Sequence, residues 1–392
     1  MSDRSTGRYF IGLMSGTSLD AIDIALTYIS NDHIELVHSH ALPIEQTLKT
    51  RIAELFEPGN NEIDRMGELD REIAEISANG VISMLDDCGV SASKVTAIGS
   101  HGQTIRHRPY GMDYKQPFTL QIGDPNTLAA LTNIVTVADF RRKDIALGGQ
   151  GAPLAPAFHA YLCHSHSQPC AVLNIGGIAN LSLIRPHSAN ASTGFDTGPG
   201  NGLMDAWIYR HKSLAYDNNG EWALEGSVHH ELLDALLSDP FFDISGPKST
   251  GKEYFNLAWL EQILASNSQF GEVNPADVQA TLLSLTALTI AQACAANKDI
   301  NSIYLCGGGA LNKALVKRLS DELLASLETR LDTSHSSKLN IQSTEALGIH
   351  PMWIEAAAFA WMAQQTIDRL PVHQRGATGA ARNAILGGIF IP

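Results

Sequence analysis

The stretch YFIGLMSGTSLDAIDIALTYI, residues 9–29, decides the fold, because it places two apolar segments around a turn of small residues. The first segment, YFIGLMSG (9–16), predicts a buried strand that ends in a Ser-Gly turn. The second, DAIDIALTYI (20–29), predicts the strand that returns beside it. Together they predict a β-hairpin whose tip carries hydroxyl and carboxylate side chains.

The same plan is predicted to begin again near residue 170. CAVLNIGG (170–177) predicts a second buried strand with a Gly-Gly turn, and IANLSLIR (178–185) predicts its hairpin partner. SIYLCGGGA (302–310) corresponds in this scheme to VTAIGSHG (95–102) of the first half. We therefore expect an α/β fold that arises from a weak internal duplication, with two mixed sheets that face each other across a cleft.

Domain boundaries follow from this duplication. We expect an N-terminal domain of residues 1–140 completed by about 371–392, and a C-terminal domain of residues 141–370. The Gly- and Pro-rich stretch 140–158 is the expected crossover between them. The length of 392 residues supports two domains, since one core rarely grows to that size.

The amino-acid composition and net charge narrow the classes of partner that the protein could bind. Charged residues make up 17% of the chain and the formal net charge is −14, which argues against a nucleic acid or an anionic membrane as partner. We see no secretory signal at the N-terminus and no apolar run of about 18 residues. The sequence therefore predicts a cytoplasmic protein without membrane or nucleic-acid binding.

Three turns of small residues could approach a phosphate, because glycine leaves the backbone N–H groups accessible. They are MSGTSLDAID (14–23), NIGGIAN (174–180) and CGGGALN (306–312). GPKSTGKE (246–253) only approaches a P-loop pattern, since Glu253 stands where Ser or Thr would ligate magnesium. The candidate cofactor-binding residues are Gly16, Thr17, Ser18, Leu19, Asp20, Ala21, Ile22, Asp23, Gly176, Gly177, Gly307, Gly308 and Gly309.

Seven blocks of the sequence carry a specific resemblance that covers nearly the whole chain. They are MSGTSLDAID, GSHGQTIRHRP (99–109), GGQGAPLAP (148–156), LNIGGIANLS (173–182), FDTGPGN (195–201), PKSTGKEYFN (247–256) and CGGGALN. In this order they resemble the anhydro-N-acetylmuramic acid kinase family, which implies the actin/hexokinase type of ATPase fold, with the two mixed sheets flanking a nucleotide and substrate cleft. Ala21 and Lys252 depart from the family pattern, where we expect Gly and Arg.

The resemblance implies an ATP-dependent kinase that hydrolytically opens 1,6-anhydro-N-acetylmuramic acid and phosphorylates O6 in peptidoglycan recycling. It implies ATP and Mg²⁺ as cofactors, with Asp20 near the metal, and a homodimer. Asp196 precedes a Gly-Pro-Gly turn, so we expect it at a loop edge, where such a residue is more commonly a cap or turn residue. The resemblance instead implies that Asp196 is the catalytic base.

The lactyl carboxylate of that sugar requires cationic or N–H donors. The arginines at 106, 108, 141 and 142 are the candidates, and Glu345 is a second carboxylate near a turn. The predicted substrate-binding residues are His101, Gln103, Arg106, Arg141 and Glu345. The glycine turns alone leave two alternatives open: a kinase of this fold that acts on another sugar, and a non-metabolic ATPase of the actin or chaperone type.

Overall fold

The structure is a computed structural model that describes residues 7–30, 33–110, 116–186, 192–244, 248–251, 254–328 and 339–392. Lys252 and Glu253, which enter the P-loop comparison, lie outside these ranges. The chain divides into two compact units. The first comprises Met1–His164, Leu347–Ile349 and Trp353–Pro392, and the second comprises Ser165–Ala346 and His350–Met352.

The first unit contains a mixed sheet of seven strands, including the last strand of the chain. These strands are β1 (Arg8–Ser15), β2 (Ala21–Ile29), β3 (Ile34–Pro43), β4 (Val95–Arg108), β5 (Phe118–Ile122), β6 (Thr136–Ala138) and β12 (Gly388–Phe390). Its helices are α1 (Gln46–Ala53), α2 (Glu62–Cys88), α3 (Pro125–Thr132), α4 (Phe140–Ala146), α5 (Ala155–Leu162), α13 (Ile354–Ile367) and α14 (Arg375–Thr378). The strand order is β12-β6-β4-β1-β2-β3, and β5 pairs with β4.

Glycines in the central strands of this sheet allow a helix to pack closely against it. A Cβ atom added to Gly12 would lie 1.7 Å from the carbonyl oxygen of Ala356, and one added to Gly99 would lie 2.0 Å from that of Phe359. Helix α13 therefore lies directly on β1 and β4, and its apolar residues are buried. Strand residues such as Ile11 form a separate core cluster with α2.

The second unit contains a mixed sheet of five strands. They are β7 (Cys170–Ile175), β8 (Ile178–Ile184), β9 (Ser192–Pro199), β10 (Ser302–Cys306) and β11 (Asn340–Ser343), in the order β11-β10-β7-β8-β9. The helices are α6 (Gly202–Lys212), α7 (Glu221–Glu225), α8 (His230–Leu237), α9 (Pro240–Asp243), α10 (Leu257–Ser266), α11 (Pro275–Ala295) and α12 (Lys313–Glu328).

The two sheets share one topology. In the first, β1 pairs antiparallel with β2, β2 antiparallel with β3, and β1 parallel with β4. In the second, β7, β8, β9 and β10 repeat these pairings with the same directions. The predicted α/β fold with two mixed sheets on one plan is thus confirmed. Strands β5, β9 and β11 are additions to the predicted elements.

The units differ from the expected domains in three places. The first unit includes residues 141–164, 347–349 and 353–370, the last of which contain helix α13, whereas we expected them in the second domain. The packing of α13 onto the glycines of β1 and β4 accounts for its placement. The expected crossover 140–158 contains α4 and the start of α5.

Among the residues that the structure describes, one helix is long and apolar enough to cross a membrane, which departs from the expectation that no such segment exists. This helix, α11, has 21 residues, and 78% of its most apolar window is buried inside the structure. Its side chains, including Leu282, Leu285 and Ile290, belong to the core cluster of the second unit. The apolar character of α11 is accounted for by this packing.

Candidate functional site

The β1–β2 turn presents polar side chains around one buried anchor. Leu19 has a φ of 58° and a buried side chain, and its N–H donates to the carbonyl oxygen of Gly16 over 3.2 Å. Because Leu19 turns inward, Thr17, Ser18 and Asp20 remain exposed at the tip. The predicted cofactor-binding turn therefore offers two hydroxyls and a carboxylate to an approaching ligand.

Gln103 stands behind this turn. Its Oε1 accepts a hydrogen bond of 2.6 Å from the Ser15 hydroxyl, and its Nε2 donates to the carbonyl oxygen of Thr104 over 3.1 Å. Only 1% of Gln103 is exposed. The structure thus places this predicted sugar-binding residue as a support for the end of β1.

Carboxylates of the first unit interact electrostatically beside the turn. Burial raises the pKa of Asp23 to about 7, and the negative charges of Glu355 and Asp20 add to the shift. Asp20 itself is 78% exposed, with the Lys49 ammonium 3.8 Å away. Within the described residues no group of three His, Cys, Asp or Glu side chains could hold a metal ion by itself.

Glu355 is a candidate that the sequence analysis missed. It lies in the first turn of α13, inside the stripe WIEAAAFAWMA that is otherwise typical of a buried helix. The signal that could have identified it is one carboxylate within an apolar run. Its charge reaches both Asp23 and Arg141.

His101 and Arg141, both predicted to bind substrate, are in direct contact. The Arg141 Nε donates to the His101 Nε2 over 2.9 Å, so this imidazole nitrogen is an acceptor. Burial and the Arg141 charge hold the pKa of His101 well below its usual value. Burial lowers the pKa of Arg141 to about 10, while Glu355 and Asp144 act in the opposite direction.

The loop that begins GGQG is fixed by Arg141 and Asp144. The Arg141 Nη1 donates to the carbonyl oxygen of Gly151 over 2.7 Å. The buried Asp144 accepts hydrogen bonds from the Gly151 N–H (2.7 Å) and from the Thr378 hydroxyl (2.8 Å). Arg141 therefore holds the carbonyl group of Gly151, and Asp144 holds its N–H group.

The other candidate cations have local partners. Arg106 donates to Glu62 over 2.6 Å and to the carbonyl oxygen of Leu55 over 3.1 Å. Arg142 forms an ion pair of 2.7 Å with Asp139. Among the predicted arginines, Arg141 is the one that the structure places with His101 and under the influence of Glu355.

In the second unit, the predicted Gly176–Gly177 turn is bonded to the segment after β9. The Asn201 N–H donates to the Gly176 oxygen over 2.8 Å, and the Gly200 and Gly202 N–H groups donate to the Gly177 oxygen over 3.0 and 3.2 Å. A Cβ atom on Gly200 would lie 2.0 Å from the Gly176 oxygen. Glycine at position 200 is therefore needed for this close backbone approach.

Asp196 lies within β9, so its expected position at a loop edge is wrong. The register between β8 and β9 shifts next to its partner Asn180, and the Ser, Thr and Gly content of this strand hides it in the sequence. The Asp196 Oδ1 accepts from the Asn180 Nδ2 over 2.8 Å. Its Oδ2 accepts from the Ser249 hydroxyl over 3.2 Å and from the Thr250 N–H over 2.9 Å. Three donors thus surround the carboxylate.

The three glycines after β10 have different surroundings. Gly307 has a φ of 79°, and a Cβ there would lie 2.3 Å from the Asn174 Oδ1. A Cβ on Gly309 would lie 2.3 Å from the side chain of Ile175, whereas one on Gly308 would meet nothing within 4 Å. Packing against β7 therefore explains Gly307 and Gly309, and Gly308 is the one with open space for a ligand.

Glu345, the last predicted substrate residue, is exposed in a short 3₁₀ turn of the second unit. It exchanges hydrogen bonds with Ser343: the Ser343 hydroxyl donates to its Oε2 and accepts from its N–H, each over 3.1 Å. This arrangement caps the turn after β11 and leaves the carboxylate at the surface.

Comparison with known proteins gives a match over nearly the whole chain. The family model described as anhydro-N-acetylmuramic acid kinase matches residues 8–392. A protein of that name from Coxiella burnetii is 47% identical over 382 residues, which is 97% of this chain and 97% of that protein. One from Shewanella pealeana is 46% identical, covering 97% of this chain and 98% of its own length.

The solved structures that match this chain are distant from it in sequence. A hexokinase from Schistosoma mansoni in complex with glucose covers 91% of this chain and 85% of its own, with 10% identity and a TM-score of 0.42. A ROK family glucokinase from Streptomyces griseus, in complex with glucose and AMPPNP, covers 91% and 99% with 10% identity and a TM-score of 0.37.

Proposed function

Because this chain belongs to the anhydro-N-acetylmuramic acid kinase family and is a kinase of peptidoglycan recycling, we propose how its own residues divide the reaction. The substrate is 1,6-anhydro-N-acetylmuramic acid, and the products are N-acetylmuramic acid 6-phosphate and ADP. We assign the phosphate-binding role to the turns of small residues and the activation of water to Asp196.

We propose that the two hairpin turns bind the phosphates of ATP. In the first unit the exposed Thr17 and Ser18 hydroxyls and the turn backbone are the donors. In the second unit the Gly176–Gly177 turn is held from behind by the segment after β9, which leaves it rigid. The open space at Gly308 supports its assignment to the nucleotide.

The residues of the first turn fit Mg²⁺. Asp20 offers an exposed carboxylate, and a cation would relieve the like charges that add to the effect of burial on the pKa of Asp23. Magnesium usually keeps several waters and takes few protein ligands, so a cluster of three protein side chains is unnecessary. When bound with ATP, magnesium neutralises charge on the phosphoryl group that is transferred.

Asp196 is proposed to be the general base. Hydrogen bonds from Asn180, Ser249 and Thr250 favour its ionised form and fix its orientation. It takes a proton from water as the water oxygen bonds to the anomeric carbon and the bond from that carbon to O6 breaks. O6 then carries the negative charge and attacks the γ-phosphorus, so that the bond from phosphorus to ADP breaks.

This assignment rests above all on one observation: the strand that carries Asp196 continues directly into the Gly-Pro-Gly segment that holds Gly176 and Gly177. The base and a phosphate-binding turn therefore share one rigid frame. Correct geometry can supply a large part of the rate enhancement, since reacting groups need not search for each other.

For the sugar, we propose that Arg141 and Glu355 act at the lactyl and hydroxyl groups, with His101 supporting Arg141. Arg106, Gln103 and Glu345 stay predictions, and the observed contacts support a structural role for the first two. We also propose a cytoplasmic homodimer; sedimentation velocity of the purified protein tests the dimer.

The test of the base is Asp196→Asn. We expect kcat to fall by about 10³-fold or more, because the amide cannot accept the proton, while the Kd for ATP stays within about twofold. Asp234→Asn on the exposed face of α8 is the matched control. A fully active Asp196→Asn enzyme would refute the assignment.

Substrate identity is tested by sugar-dependent release of ADP. Stimulation by 1,6-anhydro-N-acetylmuramic acid alone is the expected result. Stimulation by a different sugar, or ADP release without any sugar, would support the two alternatives. When the reaction is run in ¹⁸O-labelled water, the newly formed product should carry solvent oxygen at the anomeric carbon.

A further inference from the structure

The segment 248–250 contacts both the backbone and the carboxylate of Asp196. The Asp196 N–H donates to the carbonyl oxygen of Lys248 over 2.9 Å. The Ser249 hydroxyl and the Thr250 N–H donate to its Oδ2 over 3.2 and 2.9 Å. Neither the backbone nor the carboxylate of Asp196 can therefore shift without disturbing this segment.

The ammonium group of Lys248 links the same segment to two aromatic residues of α9. The Lys248 Nζ donates to the carbonyl oxygens of Phe241 and Phe242, over 2.9 and 3.5 Å. It also lies 4.4 Å from the centroid of the Phe241 ring, in a cation–π contact. We name Phe241 and Phe242 the aromatic corner.

The aromatic corner is itself fixed. Asp239 accepts hydrogen bonds from the Phe241 N–H (2.9 Å) and the Trp259 Nε1 (2.8 Å). Phe242 packs on β9, since a Cβ added to Gly198 would lie 2.8 Å from its ring. The corner thus touches β9 two residues after Asp196.

The geometry points to Lys248 as a positioning residue for Asp196. Its ammonium holds the backbone of 248–250 against the aromatic corner, and that backbone in turn holds the carboxylate. This inference rests on the proposed role of Asp196 as the base. Burial lowers the pKa of Lys248, in keeping with an ammonium that has exchanged water for carbonyl and ring contacts.

The test compares Lys248→Met with Lys248→Arg in the full chain. Methionine keeps the apolar stem and removes the charge, so we expect kcat to fall by about 10- to 100-fold, as for a base displaced by about 1 Å. The KM for ATP should stay within about twofold. The acid limb of the kcat profile should move to higher pH, because a carboxylate that loses donors binds its proton more tightly. Arginine, which keeps a cation near the carbonyls, should recover most of kcat.

The matched control is Lys212→Met. Lys212 also places its ammonium over an aromatic ring, 4.9 Å from the centroid of Trp222, and pairs with Glu225 over 3.4 Å. We expect wild-type kcat and an unmoved acid limb for this control. A folded Lys248→Met enzyme that behaves in the same way would overturn the inference, as would equal losses in Lys248→Met and Lys248→Arg.

Two further variants keep the test decisive. If Lys248→Met does not fold, Ser249→Ala removes one donor directly; it should move the acid limb, and an unmoved limb would count against the inference. Asp196→Asn distinguishes a failure of the proposed base from a failure of the positioning role. Its full activity would refute the base, whereas an inactive Asp196→Asn beside a fully active Lys248→Met would refute only the positioning role.

Discussion

Replacing Asp23 by asparagine tests the carboxylate interactions of the first unit. Burial and the charges of Glu355 and Asp20 raise the pKa of Asp23 from 3.8 to about 7. Because the folded-state value is the higher one, the folded protein favours the neutral acid. The corresponding stability is complete below pH of about 4 and is lost as the pH rises to about 7.

The magnitude follows from the shift. About three pKa units at 1.36 kcal/mol each correspond to about 4 kcal/mol that ionised Asp23 removes from the free energy of unfolding at high pH. Roughly 2 kcal/mol is already lost at pH 5, so the change between pH 5 and pH 8 is about 2 to 3 kcal/mol. Asparagine cannot ionise, and the variant should lack this part of the pH dependence.

Peptide-resolved hydrogen exchange of β1 and β4 at both pH values measures the stability of the first unit alone. Relative to wild type, the Asp23→Asn protein should gain about 2 to 3 kcal/mol more at pH 8 than at pH 5. Asp87→Asn, at an exposed position of α2, should follow the wild-type dependence. If wild type and Asp23→Asn lose stability in parallel across this range, the electrostatic reasoning is refuted.

Two pairs of glycine substitutions test the turns of the second unit. Gly200→Ala should lower the free energy of unfolding by about 1 to 3 kcal/mol and weaken ATP binding, because its Cβ would lie 2.0 Å from a backbone oxygen of Gly176. The control, Gly67→Ala in α2, has nothing within 4 Å of its Cβ and should raise the free energy of unfolding by about 0.5 to 1 kcal/mol. Equal effects of the two substitutions in thermal unfolding would contradict the clash. Gly307→Ala should destabilise the protein, whereas Gly308→Ala should leave the melting temperature nearly unchanged and raise the KM for ATP. An unchanged KM for ATP would contradict the assignment of Gly308 to the nucleotide site.

The sequence predicts the duplicated hairpins because their signals are local. Both are apolar runs that end in small residues, and they fold as predicted in β1–β2 and β7–β8. Strand β9 escaped prediction because its sequence, STGFDTGP, lacks apolar alternation. It is held as a strand by pairing with β8, which is information carried elsewhere in the chain.

The placement of α13 was unpredictable for a similar reason. Its apolar sequence suits any core, and the feature that assigns it to the first sheet is the pair of glycines at 12 and 99. Glycine in a strand indicates a close approach, but it does not name the approaching element. The same limit applies to Glu355, whose interaction with Asp23 exists only once α13 has packed.

Two aspartates show how one residue type is fitted to different tasks. Asp196 has three hydrogen-bond donors around its carboxylate, an environment that favours negative charge. Asp23 is buried near two further carboxylates, an environment that opposes negative charge. The role proposed for Asp196 requires an ionised carboxylate, and its three hydrogen-bond donors suit that role. A carboxylate that is costly to ionise in the free protein suits a position where the charge is needed only with a cation present, as proposed for the turn beside Asp20. Under the proposal, these opposite environments fit the two carboxylates to different roles.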